Sequence, residues 1–206
     1  MWALIEDGSI TKLINNPKGM VIGDTQYSRN IFSFRWSNEE REAIGLYEVV
    51  FDDSNKKNHE YYTNTNQSFA FAGGVVTASY GSATAKPHVD TLFTAQDESD
   101  GLGTEGEVAA EGLKTVRIRT VKQQAAGELQ NTDWYIVRKA DAGTAVPSAI
   151  TTHRAAVRTK CAEMETAITN AADTPAIETL YTNVNTGTEE NPVMERPLGN
   201  LPTLEV

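Results

Sequence analysis

Ile150-Thr151-Thr152-His153-Arg154-Ala155-Ala156-Val157-Arg158-Thr159-Lys160-Cys161-Ala162-Glu163-Met164-Glu165-Thr166-Ala167-Ile168 is the stretch that decides the fold. Its apolar residues Ile150, Val157, Cys161, Met164 and Ile168 lie 7, 4, 3 and 4 apart, the a/d spacing of an amphipathic helix. Pro147 starts the helix at a position where its missing N–H does no harm, and Asp173-Thr174-Pro175 breaks it. Ala176 to Tyr181 adds a short helix beyond the break. Upstream, Leu113, Val116, Val121, Ala125 and Leu129 recur at helical intervals. A restart at Thr132-Asp133 carries Trp134, Ile136, Val137 and Ala140, and Ala142-Gly143-Thr144 ends it. The expected product is a helical hairpin in which Trp134 and Val137 pack against Val157 and Cys161.

Nearer the N-terminus the pattern shortens to strands. Trp2-Ala3-Leu4-Ile5 and Ile10-Thr11-Lys12-Leu13-Ile14 flank Asp7-Gly8, a tight hairpin turn. Met20-Val21-Ile22 and Ile31-Phe32-Ser33-Phe34 read as two further strands. Ser37 followed three residues later by Glu40 is a capping box, with Gly45 closing a two-turn helix before the strand Leu46 to Phe51. Between Asp52 and Gly103, Tyr61-Tyr62-Thr63, Ser68 to Phe71, Val75 to Tyr80 and Val89 to Phe93 predict antiparallel strands, with Gly73-Gly74 as a turn. Gln96 to Gly106 reads as an acidic, glycine-rich loop. The end of the chain carries Pro192, Pro197 and Pro202 among apolar Val193, Met194, Leu198, Leu201, Leu204 and Val206. It reads as an extended arm that orders on a partner surface.

The fold class expected is therefore α+β. A small α+β module (1–52) is followed by an antiparallel β-rich middle (53–103), a helical hairpin (104–182) and an extended C-terminal arm (183–206). Composition narrows the partners. Of 206 residues 39% are apolar and 22% charged, and 18 basic against 28 acidic side chains leave a net charge of −10. An acidic surface opposes contact with phosphate backbones and anionic membranes, so neither nucleic acid nor membrane is an expected partner. No stretch approaches the roughly 20 apolar residues of a spanning helix. Met1 to Asp7 has no basic region that would begin a secretory leader, and the single cysteine, Cys161, fits synthesis in a reducing cytoplasm.

Chemistry-bearing patterns are few. Gly101-Leu102-Gly103-Thr104-Glu105-Gly106 matches G-x-G-x-x-G, but Asp97, Glu98, Asp100 and Glu105 would repel a pyrophosphate. The same segment aligns to a calcium loop through Gln96, Glu98, Asp100, Gly101 and Glu107, with Gln96 a poor first ligand. His59, His88 and His153 lack the spacing of a zinc pair, and Cys161 lies on a helix seam with no base beside it. No nucleophile elbow, P-loop or H-E-x-x-H occurs. Neither an enzymatic activity nor a cofactor is expected.

Asp133-Trp134-Tyr135-Ile136-Val137-Arg138, the Gly143 to Pro147 connection and His153-Arg154-Ala155-Ala156-Val157-Arg158 resemble a D-W-x-x-x-R … P … Y-R-x-x-[LV]-R pattern. That pattern recurs at the C-terminal end of tail-fibre-associated and tail-assembly proteins of tailed bacteriophages. Trp36-Ser37-Asn38-Glu39-Glu40 with Ile44-Gly45-Leu46-Tyr47-Glu48-Val49 resembles the N-terminal W-S-x-E-E-L-x-x-x-G-[IL]-Y-x-V of the same group. Arg41 stands where that group has Leu, and His153 where it has Tyr. The resemblance implies a structural component of a phage tail (fibre, fibre connector or baseplate subunit) made in the host cytoplasm and located in the virion. The alternative is a tail-fibre assembly chaperone. It implies other tail proteins as partners and a homo-oligomer, with a trimer favoured. Trp134, Val137, Ile150, Val157, Cys161, Met164 and Ile168 are the candidate interface residues.

Overall fold

A computed structural model describes residues 1–204. The class is α+β, and the chain forms two compact units, Met1–Thr84 and Ala85–Val206. In the first unit, β1 (Trp2–Glu6) and β2 (Ser9–Ile14) make an antiparallel hairpin. Its turn residues Asp7 and Gly8 have φ of 50° and 73°, the left-handed pair that an Asp-Gly turn demands. β3 (Met20–Ile22) pairs with β4 (Thr25–Tyr27) in a separate hairpin. The strand expected at Ile31–Phe34 is instead a 3-10 turn over Arg29–Phe32, because the Ser28 hydroxyl accepts the Asn30 N–H and starts a helical turn. α1 (Asn38–Glu42) carries the expected capping box. The Ser37 hydroxyl accepts the Glu40 N–H at 3.2 Å, and the Glu40 carboxylate accepts the Ser37 N–H at 2.8 Å.

The module does not end at residue 52. After β5 (Leu46–Asp52) come β6 (Tyr62–Thr63), β7 (Gln67–Ala72), β8 (Val75–Tyr80) and β9 (Thr84–Ala85). β7 and β8 form the expected hairpin, but β8 then lies parallel to β5, giving one five-stranded sheet in the order β2-β1-β5-β8-β7. The free edges of β5 and of the β7–β8 hairpin satisfy each other's backbone groups, which joins the predicted middle segment to the module. The sheet curls enough for its edge strands, β2 and β7, to touch. Ala3, Val49, Val76 and Ala78 form one core, and Ile14, Ile31 and Leu46 another. Arg41 is buried beside the second core. Its Nε donates to the Ile31 carbonyl and its Nη1 to the Asn38 side chain, both at 2.9 Å, while its guanidinium lies 4.8 Å from the centre of the Trp2 ring.

The second unit opens with β10 (Thr91–Leu92), α2 (Ala95–Ser99) and β11 (Val108–Ala110), then α3 (Leu113–Gln130), α4 (Asp133–Ala142), α5 (Ser148–Asn170) and α6 (Thr174–Tyr181). Residues 87–90 close the N-terminus of α3. The Leu113 and Lys114 N–H groups donate to the Pro87 and His88 carbonyls, and the Gly112 N–H donates to the Asp90 carboxylate at 2.7 Å. That bond, with a second from the Thr115 side chain, holds the Asp90 carboxyl below its ordinary pKa. The tail is not the expected arm. β12 (Val184–Asn185) pairs antiparallel with β13 (Met194–Glu195), and Leu198, 2% exposed, enters the core of Val121, Met164 and Ile168. Leu201 packs against the same core, so Leu198 and Leu201 cover their own unit while Val193 and Met194 stay exposed. Val206 lies outside the described residues.

Two substitutions test these local accounts. Ser37→Ala removes half of the capping box and should cost about 1 kcal/mol in urea unfolding. A Cβ on Gly112 would run into the Val89 carbonyl, so Gly112→Ala should destabilise by about 2 kcal/mol despite alanine's better helix propensity.

Candidate functional site

α3 and α5 run antiparallel, and two long side chains pin their ends. At one end Lys114 Nζ donates to the Thr169 carbonyl at 2.8 Å. At the other, Arg154 Nη1 donates to the Leu129 carbonyl and to the Thr132 hydroxyl, each at 2.7 Å, and meets the Asp133 carboxylate at 2.8 Å. Lys122 and Glu165 form an ion pair midway, at 3.1 Å. Leu129 belongs to the last turn of α3, whose carbonyls have no partner within the helix and carry the negative end of its dipole. Arg154 is 7% exposed and Thr132 1%. A charge that deep is tolerated only because Leu129, Thr132 and Asp133 receive it.

This junction redirects the chain. α3 stops at Gln130, Thr132 adopts φ −119° and ψ 4°, and α4 departs at Asp133. α4 buries none of its side chains among the described residues. Trp134 is 52% exposed, Ile136 42% and Val137 66%, so the expected packing of Trp134 and Val137 on Val157 and Cys161 does not occur. Arg154, one turn before Val157, holds the end of α3 instead. The Trp134 and Tyr135 rings stack on each other with centroids 4.0 Å apart, and the Arg138 guanidinium lies 4.6 Å from the first ring and 5.5 Å from the second. Gly143, at φ 68°, stops the helix.

The seam residues divide accordingly. Ile150, Val157, Met164 and Ile168 are buried within one chain, Met164 and Ile168 against Val121 and Leu198. Their covering comes from the same unit, which leaves Trp134 and Val137 as the predicted interface residues with an open face. Cys161 is half-buried, and its thiol donates to Glu165 Oε1 at 3.4 Å. Burial first, and then the Glu165 contact, push its pKa up, away from the thiolate that a nucleophile requires.

The glycine pattern at 101–106 follows the five-residue helix α2, not a buried strand, so it lacks the βαβ setting of a dinucleotide site. The Glu98 carboxylate accepts the Glu105 N–H at 3.2 Å, and Asp97 closes a capping box with Thr94. The acids of this segment therefore serve its own backbone. No group of three or more His, Cys, Asp or Glu residues capable of holding a metal is found among the described residues. No described helix is long and apolar enough to cross a membrane.

Arg154 and Arg41 are the structural residues that sequence reasoning missed. Periodicity treats a charged residue as solvent-facing, and both arginines are buried. The only sequence sign lies in the resemblance: Arg41 is one of the two departures from its pattern, and Arg154 follows the other. No protein-family model, curated protein or solved structure matches the chain.

Arg154→Met, similar in length but without charge or donors, should cost about 2 kcal/mol in denaturant unfolding. Arg154→Lys, which keeps a cation at the α3 terminus, should cost less. Equal losses for the two would assign the effect to shape alone.

Proposed function

We propose that this chain is a structural subunit of a bacteriophage tail, a fibre, fibre connector or baseplate component that acts by protein–protein assembly. The observation that carries the reading is the uncovered face of α4. The ten-residue helix leaves Trp134 and Val137, three residues apart on one side, exposed in its own chain. Aromatic side chains and arginine are enriched where interfaces concentrate their binding energy, and a Trp–Tyr–Arg stack presents them pre-ordered. An exposed patch of this kind has a positive contribution to offer only when a partner covers it. Further support comes from the resemblance to tail-assembly proteins, whose D-W-x-x-x-R segment is this same helix. The exposed Val184, Val193 and Met194 of the β12–β13 hairpin extend the apolar surface available to neighbours.

The account expects a homo-oligomer, a trimer by analogy with fibres, formed through α4. Light scattering should give the isolated protein a mass that is a multiple of 22.5 kDa. The double variant Trp134→Ala, Val137→Ser should return it to the monomer with unfolding unchanged within about 0.5 kcal/mol, since neither side chain is buried. Mass spectrometry of purified particles should find the chain in copy numbers that match tail symmetry. Its absence from particles, together with binding to unassembled fibres, would make it an assembly chaperone instead.

A further inference from the structure

The departure of α4 from α5 opens a cavity of about 350 Å³ between them, closed at one end by the 143–147 connection. Lys139 from α4 and Arg154 and Arg158 from α5 line it, with Thr151 from the first turn of α5, and no acidic residue does. Three cations converging on one cavity is unexpected in a chain of net charge −10. Among the described residues neither Lys139 nor Arg158 is paired with a carboxylate; Arg158 Nη1 makes only a 3.4 Å contact with the Arg154 carbonyl. Arg154 is satisfied on one side alone. All three of its polar contacts fall on Nη1, while Nε is fully enclosed without a hydrogen-bond partner. Nη2 has no hydrogen-bond partner among the described residues and is the guanidinium donor left for an oxyanion.

Two further features favour a negative guest. α5 begins at Pro147 with no side-chain cap, so its positive dipole end adjoins the cavity wall at Thr151 uncompensated. Ile136, Ala145 and Val146 supply an apolar wall beside the cations. We infer that this cavity is a binding site for a small organic oxyanion, a carboxylate or phosphate monoester carrying a short apolar body. The anionic head lies among Lys139, Arg154 and Arg158, and the apolar body rests on Ile136 and Val146. The cavity volume sits at the small end of the range for ligand sites, which fits a guest of a few carbons. This inference rests on charge and cavity shape and holds whether or not α4 is an assembly face.

The test uses the full-length protein with butanoate, butyl phosphate, inorganic phosphate and, as the charge-reversed control, butylammonium. Backbone amide shifts from about 148 to 154 should move and saturate with butyl phosphate or butanoate, with Kd on the order of 1 mM or tighter. Inorganic phosphate should bind more weakly, because it leaves the apolar wall uncovered. Arg158→Ala and Lys139→Ala, both at exposed positions, should each weaken binding by about tenfold, and Lys160→Ala, outside the cavity, should not. Saturation by butylammonium at similar strength, unchanged affinity in both cavity variants, or no anion-induced shifts at these amides would each overturn the proposal. Inorganic phosphate binding as tightly as butyl phosphate would overturn the assignment of the apolar wall.

Discussion

The C-terminal unit depends on a single buried guanidinium. Arg154 sits on α5, yet it binds the last turn of α3, the hydroxyl of Thr132 and the carboxylate of Asp133. One side chain thus fixes three elements: where α3 ends, how it lies against α5, and where α4 begins. The ordering of a long side chain and the removal of a charge from water both oppose folding. They are offset because the guanidinium is paired with the Asp133 carboxylate and lies at the negative end of the α3 dipole.

The consequence is a helix whose Trp134 and Val137 are left exposed in their own unit. An uninterrupted hairpin would have placed Trp134 and Val137 on Val157, and the apolar surface would have closed on itself. With α3 stopped at Gln130, the α3–α5 core is completed by α6 and by Leu198 from the tail. Both the open apolar face of α4 and the basic cavity beneath it follow from that one redirection. They point in different chemical directions, one towards protein surface and the other towards a small anion, and neither requires the other.

Much of the local structure was legible because its causes are local. Asp7-Gly8, the Ser37–Glu40 capping box, the Gly73-Gly74 turn and the α5 periodicity each depend on residues within a few positions of one another. The misreadings concern distant partners. Nothing within β5 or β8 says that they pair in parallel across more than twenty residues, since strand pattern records burial and not register with a remote edge. The tail read as an arm because its prolines exclude regular structure, but the groove that receives Leu198 is built from α3 and α5 and is invisible in the tail itself. Of the candidate interface, the seam periodicity identified Ile150, Val157, Met164 and Ile168 as inward-facing. It could not show that the same chain covers them, nor that Trp134 and Val137 are left open.

The central claim is that the α4 face is open in the free chain and closed by assembly. Hydroxyl-radical footprinting of Trp134, read residue by residue by mass spectrometry, tests it most directly. The account predicts rapid oxidation of Trp134 in dilute protein and strong protection in the concentrated oligomer or assembled particle, with Leu46 and Val157 protected in both. Protection of Trp134 already in the dilute monomer would contradict the position of α4, and equal reactivity in both states would contradict its role in assembly.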